Sequence, residues 1–307
     1  MKKILVVGDS CKDVFIYGDI ERISPEAPIP VFVPTREESN DGMARNVSNN
    51  VESLDMGIHT ITNKNSIVKK RYVDNRSGQM VLRVDEHDYC DRIDNILLST
   101  IQNNECYISM SGKVEVDAII ISDYCKGFLH EDDIKWICDN NKNVFVDTKK
   151  KLGTWIENAD FIKINELEYK KNHELLSDEG FEEKLIVTLG SKGCRWNGKT
   201  FDVESVPVRD VSGAGDTFLA GLVRGYLDTK DISKGIELAQ KCTTLVVQTQ
   251  VDGVKDYSGA GDTFLAGFVT QYLKTKNIEQ AINYAQDCAT IVVQKHGVAT
   301  VSIGEIE

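Results

Sequence analysis

The stretch DVSGAGDTFLAG, Asp210 to Gly221, decides how this chain is read, and nearly the same words, DYSGAGDTFLAG, return at Asp256 to Gly267. Two glycines and an alanine let the backbone approach a ligand closely, and the apolar run that follows starts a helix. The N–H groups of its first turn point outward with the positive end of the helix dipole behind them. Gly213, Ala214 and Gly215 therefore form an anion hole suited to a phosphoryl group in transfer. Asp216 is placed to take a proton from an attacking hydroxyl as general base; the same aspartate in isolation reads as a helix cap.

Outward from this turn, KILVVGDS, VDAIIISDY, NVFVDTKK, DFIKINE and KLIVTLGS share one design, β-branched and apolar in the middle and polar at the C-terminal end. Buried parallel strands whose carboxyl ends line a ligand crevice have this texture. Helical stretches such as HEDDIKWICDNN alternate with them, so the expected fold is α/β, a doubly wound, mainly parallel sheet with helices on both faces. Within about 29–85 the pattern changes: PIPVFVPTREE, SIVKKRYVD and MVLRVDE alternate in period two, which predicts a small, partly exposed β-sheet lid.

The 307 residues suit a single domain of this kind, and 41% hydrophobic content supplies a core. A formal charge of −12 argues against a nucleic-acid or anionic-membrane partner, since both would repel the protein at long range. The eight cysteines show no C-x-x-C pair, and MKKILVVGDS turns polar too soon for a signal peptide, so the expected compartment is the cytoplasm.

Aligning Ser212 with Ser258 gives ten identical residues followed by a more diverged stretch, a duplicated segment at 210–250 and 256–296. Two copies do not make a solenoid. Copy one follows directly from the VTLGSKGC hairpin, and this shorter connection makes Asp216, rather than the duplicate Asp262, the expected working base.

Other candidates gather around the turn. INELE sets Asn165 and Glu168 at i and i+3, a spacing suited to holding magnesium through water. Thr188, Gly190 and Gly193 in VTLGSKGC offer bare backbone to a nucleotide. Asp9 and Asp13, at the end of the first strand, can accept hydrogen bonds from sugar hydroxyls or cap the local backbone.

The order GDS-x-x-D, GMARN, NELE, VTLGSKG and DVSGAGD resembles the ribokinase family, the phosphofructokinase-B type of carbohydrate kinase. RISPEAPIPVF at Arg22 to Phe32 and SDYCKGFL at Ser122 to Leu129 resemble its heptose 7-phosphate branch. The resemblance implies a ribokinase-like fold and ATP-dependent phosphorylation of a sugar, with O1 of a heptose 7-phosphate as acceptor. By position it implies Asp216 as base, the Gly213–Gly215 amides as anion hole, and Asn165, Glu168, Thr188, Gly190 and Gly193 on the nucleotide side with Mg2+. Asp13, Gly42 and Asn46 then fall on the sugar, and Lys126, Lys69 and Arg71 are candidates for its phosphate. Lid pairing in the family implies a possible homodimer. Met43 stands where the family usually places a second glycine, and the chain between Thr62 and Ser66 is short for the heptose branch. A kinase for a ribose- or fructose-type sugar, or a degenerate nucleotide-binding protein, are the alternatives.

Overall fold

The computed structural model describes residues 1–108, 112–172, 181–203 and 213–248, together with 271, 275, 280, 284, 285 and 288. Most of the second copy, including Asp262, lies outside the described residues, as do Asp210 to Ser212 of the first.

The strands are β1 Lys3–Gly8, β2 Ser10–Ile23, β3 Pro30–Met43, β4 Gly57–Thr62, β5 Ile67–Asp74, β6 Met80–Glu86, β7 Glu105–Ile108, β8 Gly112–Glu115, β9 Ala118–Asp123, β10 Val144–Thr148, β11 Phe161–Asn165, β12 Leu185–Thr188, β13 Cys194–Trp196 and β14 Lys199–Phe201. The helices are α1 Ala44–Ser53, α2 Asn95–Ser99, α3 Glu131–Asn140, α4 Glu166–Lys171, α5 Ala214–Thr229 and α6 Ile232–Gln248. The main sheet has eight strands in the order β14-β13-β12-β11-β10-β9-β1-β4. It is parallel from β4 to β12, and β13 and β14 run antiparallel at the far edge.

Successive side chains of a strand point to opposite faces, so a sheet covered on both faces needs apolar residues at every position. Leu5, Val7, Ile119, Ile121 and Val146 pack on one face with Ile134 and Ile137 of α3. Ile4, Val6, Ile120 and Phe145 pack on the other with Val47 of α1, Leu219 and Leu222 of α5 and Ile236 of α6. Ala285 of the second copy is buried in this second core, and Cys288 is buried as well. All five apolar runs singled out in the sequence are parallel strands here.

The small sheet has the order β3-β2-β5-β6. Its first strand, β2, begins at Ser10, well ahead of the expected span from 29, because only Asp9 separates it from β1. The pattern SCKDVFIYGDIERI alternates as the other lid strands do, but it is short of turn signals that would detach it from the preceding run. The brief link from β4 to β5 is organised by Asn63. Its Oδ1 accepts from the Ser10 N–H at 2.6 Å and its Nδ2 donates to the Ser10 carbonyl at 3.1 Å, so the chain leaves and rejoins the lid at one clasp.

The lid returns to the main domain through Met43, whose φ of 59° lies in the left-handed region that favours glycine. Its side chain is buried against the first core, and α1 starts at the next residue.

Candidate active site

The carboxyl ends of the parallel strands face one crevice, and the chemistry-bearing side chains sit there. Gly213 adopts φ 76° ahead of α5, and a tight turn brings the Asp216 N–H to the Gly213 carbonyl at 3.0 Å. Asp216 is 5% exposed. Asn46 Nδ2 donates to its Oδ2 at 2.7 Å and the Tyr124 hydroxyl donates to its Oδ1 at 2.9 Å. Burial pushes this carboxyl above its ordinary value, although the hydrogen bond from Asn46, the charge of Lys163 and the hydrogen bond from Tyr124 pull it back. A raised carboxylate is what a base needs in order to hold a proton taken from a hydroxyl.

A cleft of about 510 Å³ opens beside Asp216, with Tyr124, Lys149, Lys163, Asn165 and Gly190 in its walls. Thr188 and Gly213 line it as well, and Gly190 carries no Cβ contact, so its backbone is bare to the cleft. A Cβ on Gly215 would stand 3.0 Å from Lys163 Nζ, which shows how closely that ammonium approaches the Gly-Ala-Gly turn.

Tyr124, Asp147, Lys149 and Lys163 line the cleft but were not singled out in the sequence. Lys163 is buried on β11 and donates to Asp147 Oδ2 of β10 at 2.5 Å. Lys149 Nζ lies 3.6 Å from Asp147 and 2.8 Å from Glu168 Oε1. Burial would raise the Asp147 carboxyl, but Lys163 and Lys149 outweigh it and hold it below its ordinary value. The signal available was position: Asp147 and Tyr124 stand at or just beyond the polar C-terminal ends of apolar runs, and Lys163 is a lone charge in the middle of the apolar run FIKIN.

Asn165 and Glu168 form a capping box at the start of α4. The Glu168 N–H donates to Asn165 Oδ1 at 2.9 Å and Glu168 Oε2 accepts from the Asn165 N–H at 2.8 Å. With Oε1 on Lys149, the Glu168 carboxylate is engaged at both oxygens, so it meets the cleft through Lys149.

Other expected residues take different roles. Asp9 is fully buried and accepts from the backbone N–H groups of Tyr124, Lys126 and Phe128 at 2.7, 3.2 and 3.1 Å. It fixes the loop after β9, and no face of it is left for a sugar hydroxyl. Gly193 backs onto the hairpin rather than the cleft, since a Cβ there would meet the Phe201 carbonyl at 1.9 Å. Gly42 makes room for Asp13, whose Oδ2 would lie 2.3 Å from a Cβ at that position. Asp13 in turn is ion-paired with Arg71, and Lys126 with Asp88. Of the three cations proposed for a substrate phosphate, Lys69 alone has no carboxylate partner among the described residues; it is 8% exposed and its Nζ stands 5.8 Å from the Tyr124 ring centroid.

A buried aspartate at the opening of a helix beside a Gly-Ala-Gly turn, with a small four-stranded sheet apart from the main one, fits the carbohydrate-kinase class of phosphotransferase. The chain belongs to the pfkB family of carbohydrate kinases, whose model matches residues 92–253 and again 249–303, so the duplicated segment is matched twice. It is 29% identical over 300 residues to the bifunctional protein HldE of Helicobacter pylori strain J99, covering 80% of this chain and 63% of that protein. HldE of Hyphomonas neptunium is also 29% identical, with 80% and 60% covered. The chain thus spans less than two thirds of the length of these relatives. Among solved structures it is similar to Escherichia coli phosphofructokinase-2, with a TM-score of 0.60 at 11% identity over 88% of this chain and 100% of that one. Arabidopsis thaliana ribokinase, complexed with ribose and ATP, gives 0.57 at 14% identity over 82% and 94%. The fold is ribokinase-like. No described helix is long and apolar enough to cross a membrane.

Proposed function

We propose that the chain is an ATP-dependent sugar kinase, one catalytic unit of main sheet and lid, that transfers the γ-phosphoryl group to a hydroxyl of a sugar phosphate. The observation that carries this reading is the buried Asp216 beside the Gly-Ala-Gly turn at the mouth of the crevice. Asp216 takes the proton of the sugar hydroxyl as its oxygen forms the new bond to phosphorus, and the bond from phosphorus to the departing ADP oxygen breaks. The amides of Gly213, Ala214 and Gly215, with the ammonium of Lys163 beside them, stabilise charge on the group in transfer. Closure of the lid excludes water, which would otherwise take the phosphoryl group.

ATP belongs against Thr188, Gly190 and Asn165. Magnesium carried by its phosphates would neutralise their charge, and the residues fit it through water. Asp147 and Glu168 share Lys149 at the cleft wall, and the buried Asp147 Oδ1 has Lys149 Nζ at 3.6 Å and no closer hydrogen-bond partner among the described residues. No group of three or more His, Cys, Asp or Glu able to hold a metal directly occurs among the described residues.

The acceptor proposed is a heptose 7-phosphate at O1. Its support is the resemblance of RISPEAPIPVF and SDYCKGFL to that branch, together with the buried Lys69, which has no carboxylate partner among the described residues. The test is ADP release across a panel of sugars and sugar phosphates. Turnover confined to phosphorylated acceptors, fastest with the heptose 7-phosphate, is expected. Turnover only with unphosphorylated ribose or fructose would overturn the acceptor, and silence across the panel with ATP still bound would make the chain a nucleotide-binding protein.

A further inference from the structure

Tyr124 follows β9 directly and contacts Asp9, Asp216, Lys69 and Lys149. Its backbone N–H is fixed on the buried Asp9 carboxylate, its hydroxyl donates to Asp216 Oδ1 at 2.9 Å, and two ammonium groups stand near its ring. Lys69 Nζ of the lid stands 5.8 Å from the ring centroid and Lys149 Nζ of the nucleotide side 5.6 Å. Two cation–π contacts and the anchored backbone favour the ring position that keeps the hydroxyl on the carboxylate.

We propose that Tyr124 is the positioning residue of Asp216, its hydroxyl aiming the carboxylate and keeping it in the ionised form that accepts a proton. This rests on the reading of Asp216 as general base. The groups facing Asp216 are Asn46 from α1, Tyr124 after β9, Asp147 from β10 and Lys163 from β11. Burial and Asp147 favour the protonated acid, while Asn46, Lys163 and Tyr124 favour the carboxylate. The groups facing Tyr124 are Asp216 and Asp147, Cys11 of β2 and the two lysines. Burial and the neighbouring carboxylates raise the phenol well above its ordinary value, so it stays a donor throughout the working range. Asn46 and Tyr124 take one lone pair on each Asp216 oxygen, which leaves another for the sugar proton. The tyrosine therefore tunes the base without blocking it.

Two readouts test this on the full chain with Tyr124→Phe, which keeps the ring and removes only the hydroxyl. In aspartate-13C-labelled protein without substrate, the Asp216 carboxyl signal, identified by its loss in Asp216→Asn, is expected to titrate about one pH unit higher in the variant. With an active acceptor, the acid limb of the kcat profile is expected to move the same way, with kcat on that limb down about tenfold and KM for ATP within about twofold. An Asp216 titration unchanged by Tyr124→Phe overturns the proposal. A wild type that turns over no acceptor sinks the kinase reading instead, and the carboxyl titration still decides the role of Tyr124.

Discussion

Asn46 Nδ2 and Asp216 Oδ2 are joined by a hydrogen bond of 2.7 Å. Asn46 lies in the first turn of α1, immediately after the hinge at Met43, and Asp216 lies in the first turn of α5. The bond therefore links the place where the lid re-enters the main domain to the proposed base. A second link, from Thr217 Oγ1 to Asn50 Oδ1 at 2.8 Å, joins the same two helices one turn further along α1 and one residue further along α5.

Burial of Asp216 has a thermodynamic consequence. A carboxyl held above its ordinary value favours the folded state while protonated, and that advantage is lost as pH rises through the folded-state value. Above that value the fold carries a desolvated charge, so Asp216→Asn is expected to stabilise the protein by about 1 kcal/mol at pH 8. At about pH 4, close to the ordinary carboxylate value, the gain is expected to shrink. Urea unfolding at the two pH values measures the difference, and a variant less stable than wild type at pH 8 would refute it.

Lys69, with its Nζ 5.8 Å from the Tyr124 ring centroid, has no carboxylate partner among the described residues, whereas Arg71 and Lys126 are already neutralised by Asp13 and Asp88. Lys69→Ala is expected to raise KM for the sugar phosphate about tenfold or more, since a charge-assisted hydrogen bond is worth roughly 1.5–3 kcal/mol. KM for ATP is expected to stay within about twofold. Steady-state kinetics with each substrate varied in turn separates the two, and equal effects on both would move the phosphate elsewhere.

Met43 sets two opposing effects against each other. A left-handed backbone costs a non-glycine residue about 1–2 kcal/mol, which Met43→Gly would release. The same change removes a side chain that is 4% exposed, a loss of about 2–5 kcal/mol for comparable core truncations. Packing is the larger effect, and chemical denaturation is expected to show a net loss of about 1–3 kcal/mol. A variant more stable than wild type would mean that the hinge is dominated by strain.

The main sheet was legible because its strands are buried on both faces and read as apolar runs with polar ends, as in VDAIIISDY and NVFVDTKK. The strand GIHTIT at the parallel edge was missed; its only fully enclosed apolar residue is Ile61, since an edge strand packs less of its length. The turn that opens α5 at Asp216 was legible because its backbone is written in glycines. The partners of Asp216 were not, because Asn46, Tyr124 and Lys163 belong to separate elements that meet only through the crossovers of the sheet. Asp9 misled for a related reason. A carboxylate after a strand looks alike in sequence whether it faces a sugar or three backbone amides, and the loop that supplies those amides lies more than a hundred residues away.

The duplicated segment gives the most direct test of the central claim, that Asp216 is the base of a sugar kinase. Single-turnover phosphoryl transfer to the active acceptor is measured for the full chain, for Asp216→Asn and for Asp262→Asn. Asp216→Asn is expected to lose nearly all activity, about a thousandfold or more, and Asp262→Asn to keep most of it. Deleting Val211 to Asp256 joins Asp210 to Tyr257, rebuilds one copy and is expected to work with Asp262 as base. An active Asp216→Asn beside a dead Asp262→Asn would contradict the assignment and give the chemistry to the second copy.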